Sequence, residues 1–342
     1  MATAGGEDEG ATDDAASDDD AVVAKPAVAA GREHSCAINS LGEAGCWGSD
    51  VHGQAKALGH TFVQLGAGAL HTCALSEEGE VHCWGFNSNG RATPPGHLSS
   101  QLSVGVDHAC ALHLDGGVGC WGNNSHGESN APEGEFTHVS AGGDHACALR
   151  ADGTLACWGR NDDGEATAPE GAFKTVIAGG DHSCALDAEG AAHCWGNDGA
   201  GQATAPAGKF LSLTAGSHHT CGIDEGGNVQ CWGAGQSGAK GFPNFGQSAA
   251  PQGSFIAASA GDAHTCAVDA DGQVTCWGSN GSERATPSFE FAPMAEEKPV
   301  AVEEPAEPVA PARGRRAGIH GSRPKERLDA VKTGEAPELV EP

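Results

Sequence analysis

Fourteen cysteines, seven tryptophans and a recurring histidine are the side chains of this 342-residue chain whose types and spacing suit chemistry. The cysteines fall into seven pairs: Cys36 and Cys46, Cys73 and Cys83, Cys110 and Cys120, Cys147 and Cys157, Cys184 and Cys194, Cys221 and Cys231, Cys266 and Cys276. Spacing within each pair is ten, and the first member advances by 37 five times and then by 45. A histidine stands two residues before each first Cys, from His34 to His264, and Trp-Gly follows each second Cys, from Trp47-Gly48 to Trp277-Gly278. Three chemistries compete for these atoms: disulfide bonding, zinc coordination by His and two Cys, and a Ser-His-Asp triad suggested by Asp181-His182-Ser183. Repetition rejects the triad, because catalysis needs one converging cluster and Asp-His recurs at equivalent, mutually distant positions. For zinc, His182, Cys184 and Cys194 would share a face, yet no fourth ligand repeats. The residue before the second Cys is His82 or His193 in two units and Gly45, Gly119, Ala156, Gln230 or Thr275 elsewhere. Phosphate-loop, His-Glu-x-x-His and calcium-loop signatures are missing from the sequence. The expectation is a non-enzyme with no catalytic residue, no cofactor and no metal; a His/Cys metal-binding repeat protein is an alternative.

The elements that must position the cysteines follow from one unit, residues 173–206. Phe173 and Val176 mark a first strand, His182 to Leu186 a second, Cys194-Trp195 a third, and Gln202 to Thr204 a short fourth. Gly lies six residues after the first Cys in every unit (Gly42, Gly79, Gly116, Gly153, Gly190, Gly227, Gly272), the left-handed position of a type I turn with a G1 bulge. Cys184 and Cys194 are equidistant from Glu189, so this hairpin sets them opposite one another, with Cα atoms roughly 4.5–5.5 Å apart. Seven hairpin disulfides are therefore expected, each contributing on the order of 3 kcal/mol in the chain-entropy treatment. Each His is read as structural, bonded to backbone near a turn. Short strands in a 37-residue repeat, with one Trp per interface, predict an all-β fold, a seven-bladed β-propeller of four-stranded repeats. A stacked solenoid is the competitor, and no capping unit is visible for one. The expected domains are an acidic disordered tail at 1–20, the propeller at 21–292, and a Pro/Glu-rich disordered tail at 293–342 with a basic cluster at 313–327. The first strand of the first unit is placed at Lys25 to Ala30, and Pro287 to Phe291 reads as the start of an eighth first strand sealing the ring.

The phrase Ala-Gly-Gly-Asp-His-x-Cys-Ala-Leu, then acidic-Gly, Cys-Trp-Gly-x-Asn and Gly-Gln/Glu-Ala-Thr, resembles the regulator of chromosome condensation repeat family, in its Cys-Trp-Gly bacterial subtype. The resemblance covers about residues 25–292. It implies a seven-bladed propeller that binds proteins, with members that include a guanine-nucleotide exchange factor for a small GTPase and a β-lactamase inhibitory protein. No catalytic residue carries over.

Charge narrows the partners. Net charge is −28, and residues 21–292 alone carry 28 acids against 10 bases. That field disfavours nucleic acid and suits a basic or neutral protein surface, or divalent cations. No apolar run is long enough for a transmembrane segment. Paired cysteines point to an extracellular or cell-envelope location, with the cytoplasm as alternative. No signal peptide is visible, and the acidic N-terminus resembles the spacer after an export signal, so the start is expected upstream of Met1. A monomer is expected. Binding should lie where the repeat breaks. The sixth unit gains eight residues in GAGQSGAKGFPNFGQ, bringing Phe242, Pro243 and Phe245 as candidate partner-binding residues. The competing reading packs both Phe rings down over the edge of blade 6. Blade 7 departs in having Glu283 where the other units place Gly.

Overall fold

A computed structural model describes residues 25, 27–236 and 242–287. The chain divides into two units, 1–295 and 296–342, and the described residues all belong to the first. The tails, the basic cluster and most of the expected eighth strand (288–291) lie outside the described residues.

Each repeat forms one antiparallel sheet of three strands in chain order. Blade 1 comprises Ala27–Ala30, His34–Ile38 and Ala44–Gly48, and its equivalents span 64–85, 99–122, 138–159, 175–196, 210–233 and 257–278. First strands of consecutive blades pack side by side, and that of blade 7 packs against that of blade 1, closing a seven-bladed propeller. The second strand lies between its two sheet partners and under both neighbouring blades. From the His to the fifth residue it is buried throughout in every blade. This accounts for its small residues, such as Ala37, Ala111 and Ala185, at positions of no exposure or nearly none.

The hairpins follow the expected register. Cys184 faces Cys194 and Leu186 faces Ala192. Gly190 donates to the Asp187 carbonyl at 3.2 Å, with φ of 86° in the left-handed region that a Cβ would disfavour. All seven disulfides form, each with a Cα–Cα distance of 4.0 Å, closer than the general cross-strand estimate. No free cysteine remains.

The strand count is the correction. Gln202 to Thr204 is a turn rather than a fourth strand. The buried Gln202 side chain closes its own loop, accepting from the Ala200 amide at 2.8 Å and donating to Asn197 Oδ1 at 2.9 Å. Its backbone carbonyl faces the next blade instead of a sheet partner.

Candidate functional site

The junctions between blades set the geometry of everything above them. Each Trp packs across a junction: Trp47 of blade 1 shares one hydrophobic cluster with Val28 and Ala37 of its own blade and Cys266 and Val268 of blade 7. Its indole N–H donates to the carbonyl of Arg284 in the loop leaving blade 7, at 2.9 Å. The other six indoles do the same to Gln54, Arg91, Glu128, Glu165, Gln202 and Gln247 of the preceding loops, at 2.8–3.1 Å. Ring closure between blades 7 and 1 thus reuses the bond found at every other junction.

The seven histidines are buried in the same junctions, without exposure. Five place Nε2 against a hydroxyl of the next blade rather than against backbone. The pairs are His34 with Thr72, His145 with Ser183, His182 with Thr220, His219 with Thr265 and His264 with Ser35, at 2.7–2.8 Å. Each of those hydroxyls donates to the carbonyl that also receives the Trp indole, as Thr220 does to Gln202 at 2.9 Å. A hydroxyl committed as donor must accept from the imidazole, so Nε2 of these rings carries a proton. His71 and His108 face Ala109 and Ala146 instead, and their Nε2 atoms have no partner. Burial is the main force lowering the pKa of all seven, to about 4 at His34 and His108 and about 3 at the other five. With the sulfurs consumed in disulfides and these imidazoles in junctions, the His/Cys zinc reading is set aside. The recurring Asp-His pairs are likewise structural at their His.

Above the junctions, one end of the central channel is built from backbone. Amides of Arg32, Ala69, Val106, Gly143, Gly180, Ser217 and Asp262 each donate to a carbonyl of the following blade at 2.9–3.3 Å. The approach demands glycine, since a Cβ on Gly142 would sit 2.4 Å from the Gly179 oxygen. These turns line a cavity of about 480 Å³ whose rim carries Arg32, Asp107, Asp144, Asp181, His218 and Asp262. The loop after each Trp-Gly is tied to the same rim. Asn123 donates to the Asp107 carbonyl, Arg160 to that of Asp144 and Ala234 to that of His218, at 2.8–2.9 Å. All seven inter-blade loops therefore share a face with the channel mouth.

Blades 3 to 5 give that face an acidic sector. Asp162, Asp163 and Asp198 are exposed, Asp144 and Asp181 half-buried. Arg160 bridges Asp162 and Asp181, both at 2.8 Å, and Arg91 pairs with Asp107. On the loops of blades 1 and 2, Val51 is exposed, and Phe86 lies under the Arg91 guanidinium, 5.3 Å from its carbon.

Residues 242–247, the end of the lengthened loop of blade 6, lie on this face, and 237–241 are outside the described residues. Phe242 is 81 % exposed and lines the channel mouth, and Phe245 is 44 % exposed. Phe242 stands edge-on to His218, centroid to centroid 5.7 Å, and to Phe245 at 6.3 Å. The reading that packs both rings onto the blade edge does not describe Phe242. Below it the loop is anchored: Pro243 lends its carbonyl to Gln247 Nε2 at 2.6 Å, and Asn244 Oδ1 accepts from Gly235 at 2.8 Å. Glu283 in blade 7 takes φ of 60° where equivalent positions such as Gly164 and Gly201 lie near 85°.

The descriptive match is to the Regulator of chromosome condensation (RCC1) repeat, at residues 27–54, 62–91, 100–128, 136–165, 173–202, 210–239 and 255–283. The chain is similar to the ectodomain of the receptor kinase CR4 of Physcomitrella patens, with TM-score 0.64 and 29% identity over 74% of this chain and 73% of that one. It is similar to the CRINKLY WD40 ectodomain of the Arabidopsis thaliana receptor kinase ACR4, with TM-score 0.61 and 25% identity over 74% and 96%. Prp20p of Saccharomyces cerevisiae shares the fold, with TM-score 0.58 and 21% identity over 69% and 80%. A search of curated proteins returned no match. Seven matched repeats over more than half of the sequence, one per blade, place this chain in the Regulator of chromosome condensation (RCC1) repeat family.

Proposed function

We propose that the propeller is a non-enzymatic protein-binding module, a scaffold or inhibitor, that takes its partner on the loop face. The observation that carries this reading is Phe242, 81 % exposed at the channel mouth in the one blade whose inter-blade loop is lengthened. A large aromatic ring held in water by an anchored loop is the usual form of an interface anchor. Pro243 and Phe245 complete the anchor. The acidic sector beside it favours a partner with basic side chains, by attraction in the encounter and by register in the complex. Non-enzymatic function is supported by the burial of the repeated histidines, which hold them away from any substrate.

Seven disulfides, and likeness to two receptor ectodomains, support an oxidising location outside the cytoplasm. No helix among the described residues is long and apolar enough to cross a membrane.

The test is capture by the immobilised full chain from extracellular and envelope fractions, comparing wild type with Phe242→Ala and Phe245→Ala. Loss of a hot-spot aromatic costs about 2 kcal/mol or more, roughly 30-fold in affinity. An identical set of partners, held equally well by both variants, would discard the loop. Membership of the repeat family makes nucleotide exchange on a small GTPase the second reading, and Prp20p, which shares the fold, binds Gsp1p and histones. Release of labelled GDP at an unchanged rate across a panel of small GTPases sets it aside.

A further inference from the structure

The junction between blades 3 and 4 differs from its neighbours in charge. On one side Arg91 pairs with Asp107, and on the other Arg160 reaches Asp181 at 2.8 Å, so a guanidinium neutralises the aspartate before the ring histidine. Between blades 3 and 4 that aspartate is Asp144. The residue in the register of Arg91 is Glu128, and that in the register of Arg160 is Asn123. A second carboxylate has replaced the cation.

Glu128 is fully buried, and its oxygens accept from Asn123 Nδ2 at 2.5 Å and the His126 amide at 2.8 Å. Asp144, which comes from blade 4, is half-buried. Arg160 is committed elsewhere, to Asp162, Asp181 and, at 3.9 Å, Glu165. His126 is exposed, and its ring completes a group in which one ligand atom from each of His126, Glu128 and Asp144 lies within 4.8 Å of the others.

We propose that His126, Glu128 and Asp144 bind a first-row divalent cation of the zinc or manganese type. One imidazole and two carboxylates suit such ions, and three protein ligands leave coordination positions for water. The hydrogen bonds already made to Glu128 act as the outer shell that orients it. The ion does the work of the missing guanidinium. It also straps the loop of blade 3 to blade 4, at the junction where His108 lacks a hydroxyl partner. These ligands are separate from the cysteines and the ring histidines, and the site stands independently of the partner-binding reading.

The test uses the tag-free full chain, stripped with chelator, desalted, and titrated with zinc or manganese by calorimetry and elemental analysis. The expected result is one ion retained per chain, with a higher melting temperature. His126→Ala and Asp144→Asn should weaken binding by roughly 100-fold or more, as loss of a direct ligand exceeds loss of an outer-shell one. Asp181→Asn should bind as wild type does. His126 is exposed, so its variant folds irrespective of metal, which circular dichroism verifies. The proposal falls if neither ion is retained, or if His126→Ala retains it equally.

Discussion

Five blade junctions carry a complete chain of bonds from imidazole to hydroxyl to carbonyl, while the junctions of blade 3 with blades 2 and 4 have alanine in the hydroxyl position. His182, Thr220 and Gln202 exemplify the first kind; His71 with Ala109 and His108 with Ala146 are the second. Backbone, Trp anchor and disulfide are the same in both. The difference shows that the histidine holds its place through packing and burial, and that the hydroxyl supplies an increment. Two buried imidazole Nε2 atoms without a partner therefore lie on either side of blade 3.

Acid tests the whole ring and has the largest expected effect. Each histidine has a folded pKa of about 3 or 4, below its unfolded value near 6.5. Stability is full above pH 6.5 and is lost as pH falls from there towards 3–4, because the unfolded chain takes up protons that the native ring refuses. Each proton contributes about 1.4 kcal/mol per pH unit within that window. Urea unfolding at a series of pH values should show a steep decline below 6, and a flat profile between 7 and 4 would contradict neutral buried imidazoles.

Breaking a complete junction comes next. Thr220→Val keeps the shape and removes the hydroxyl, stranding His182 Nε2, and should cost about 1–3 kcal/mol in denaturant unfolding. Conversely, Ala146→Ser places a hydroxyl between His108 and the Glu128 carbonyl and should gain about 1 kcal/mol. If both changes leave the midpoint unmoved, the two kinds of junction are energetically alike. The smallest effect concerns backbone alone: Glu283→Gly relieves a left-handed non-glycine residue and should add up to about 1 kcal/mol, with no change in binding.

The hairpins were the most legible part of the molecule. Cysteines ten residues apart, with a glycine fixed in the turn, leave one register in which sulfurs meet. The fourth strand was misread because Gln202 and Thr204 look like alternating strand residues, whereas the glutamine amide satisfies its own loop and frees the carbonyl for Trp232. The hydroxyl partners were missed although a signal was present. Ser35, Thr72, Ser183, Thr220 and Thr265 each follow the repeated His, a pattern that says little until the next blade is in place. His126, Glu128 and Asp144 were beyond sequence reasoning because Asp144 comes from a different blade. The exposure of Phe242 was equally so, since loop composition does not say which way a ring points.

Arg284, just past the last strand of blade 7, serves Trp47 of blade 1 in the manner of every other loop and indole. The wheel therefore has no privileged seam among its described residues. A chain with its ends joined and new ones opened in any spacer between two sheets should rebuild the same seven spokes.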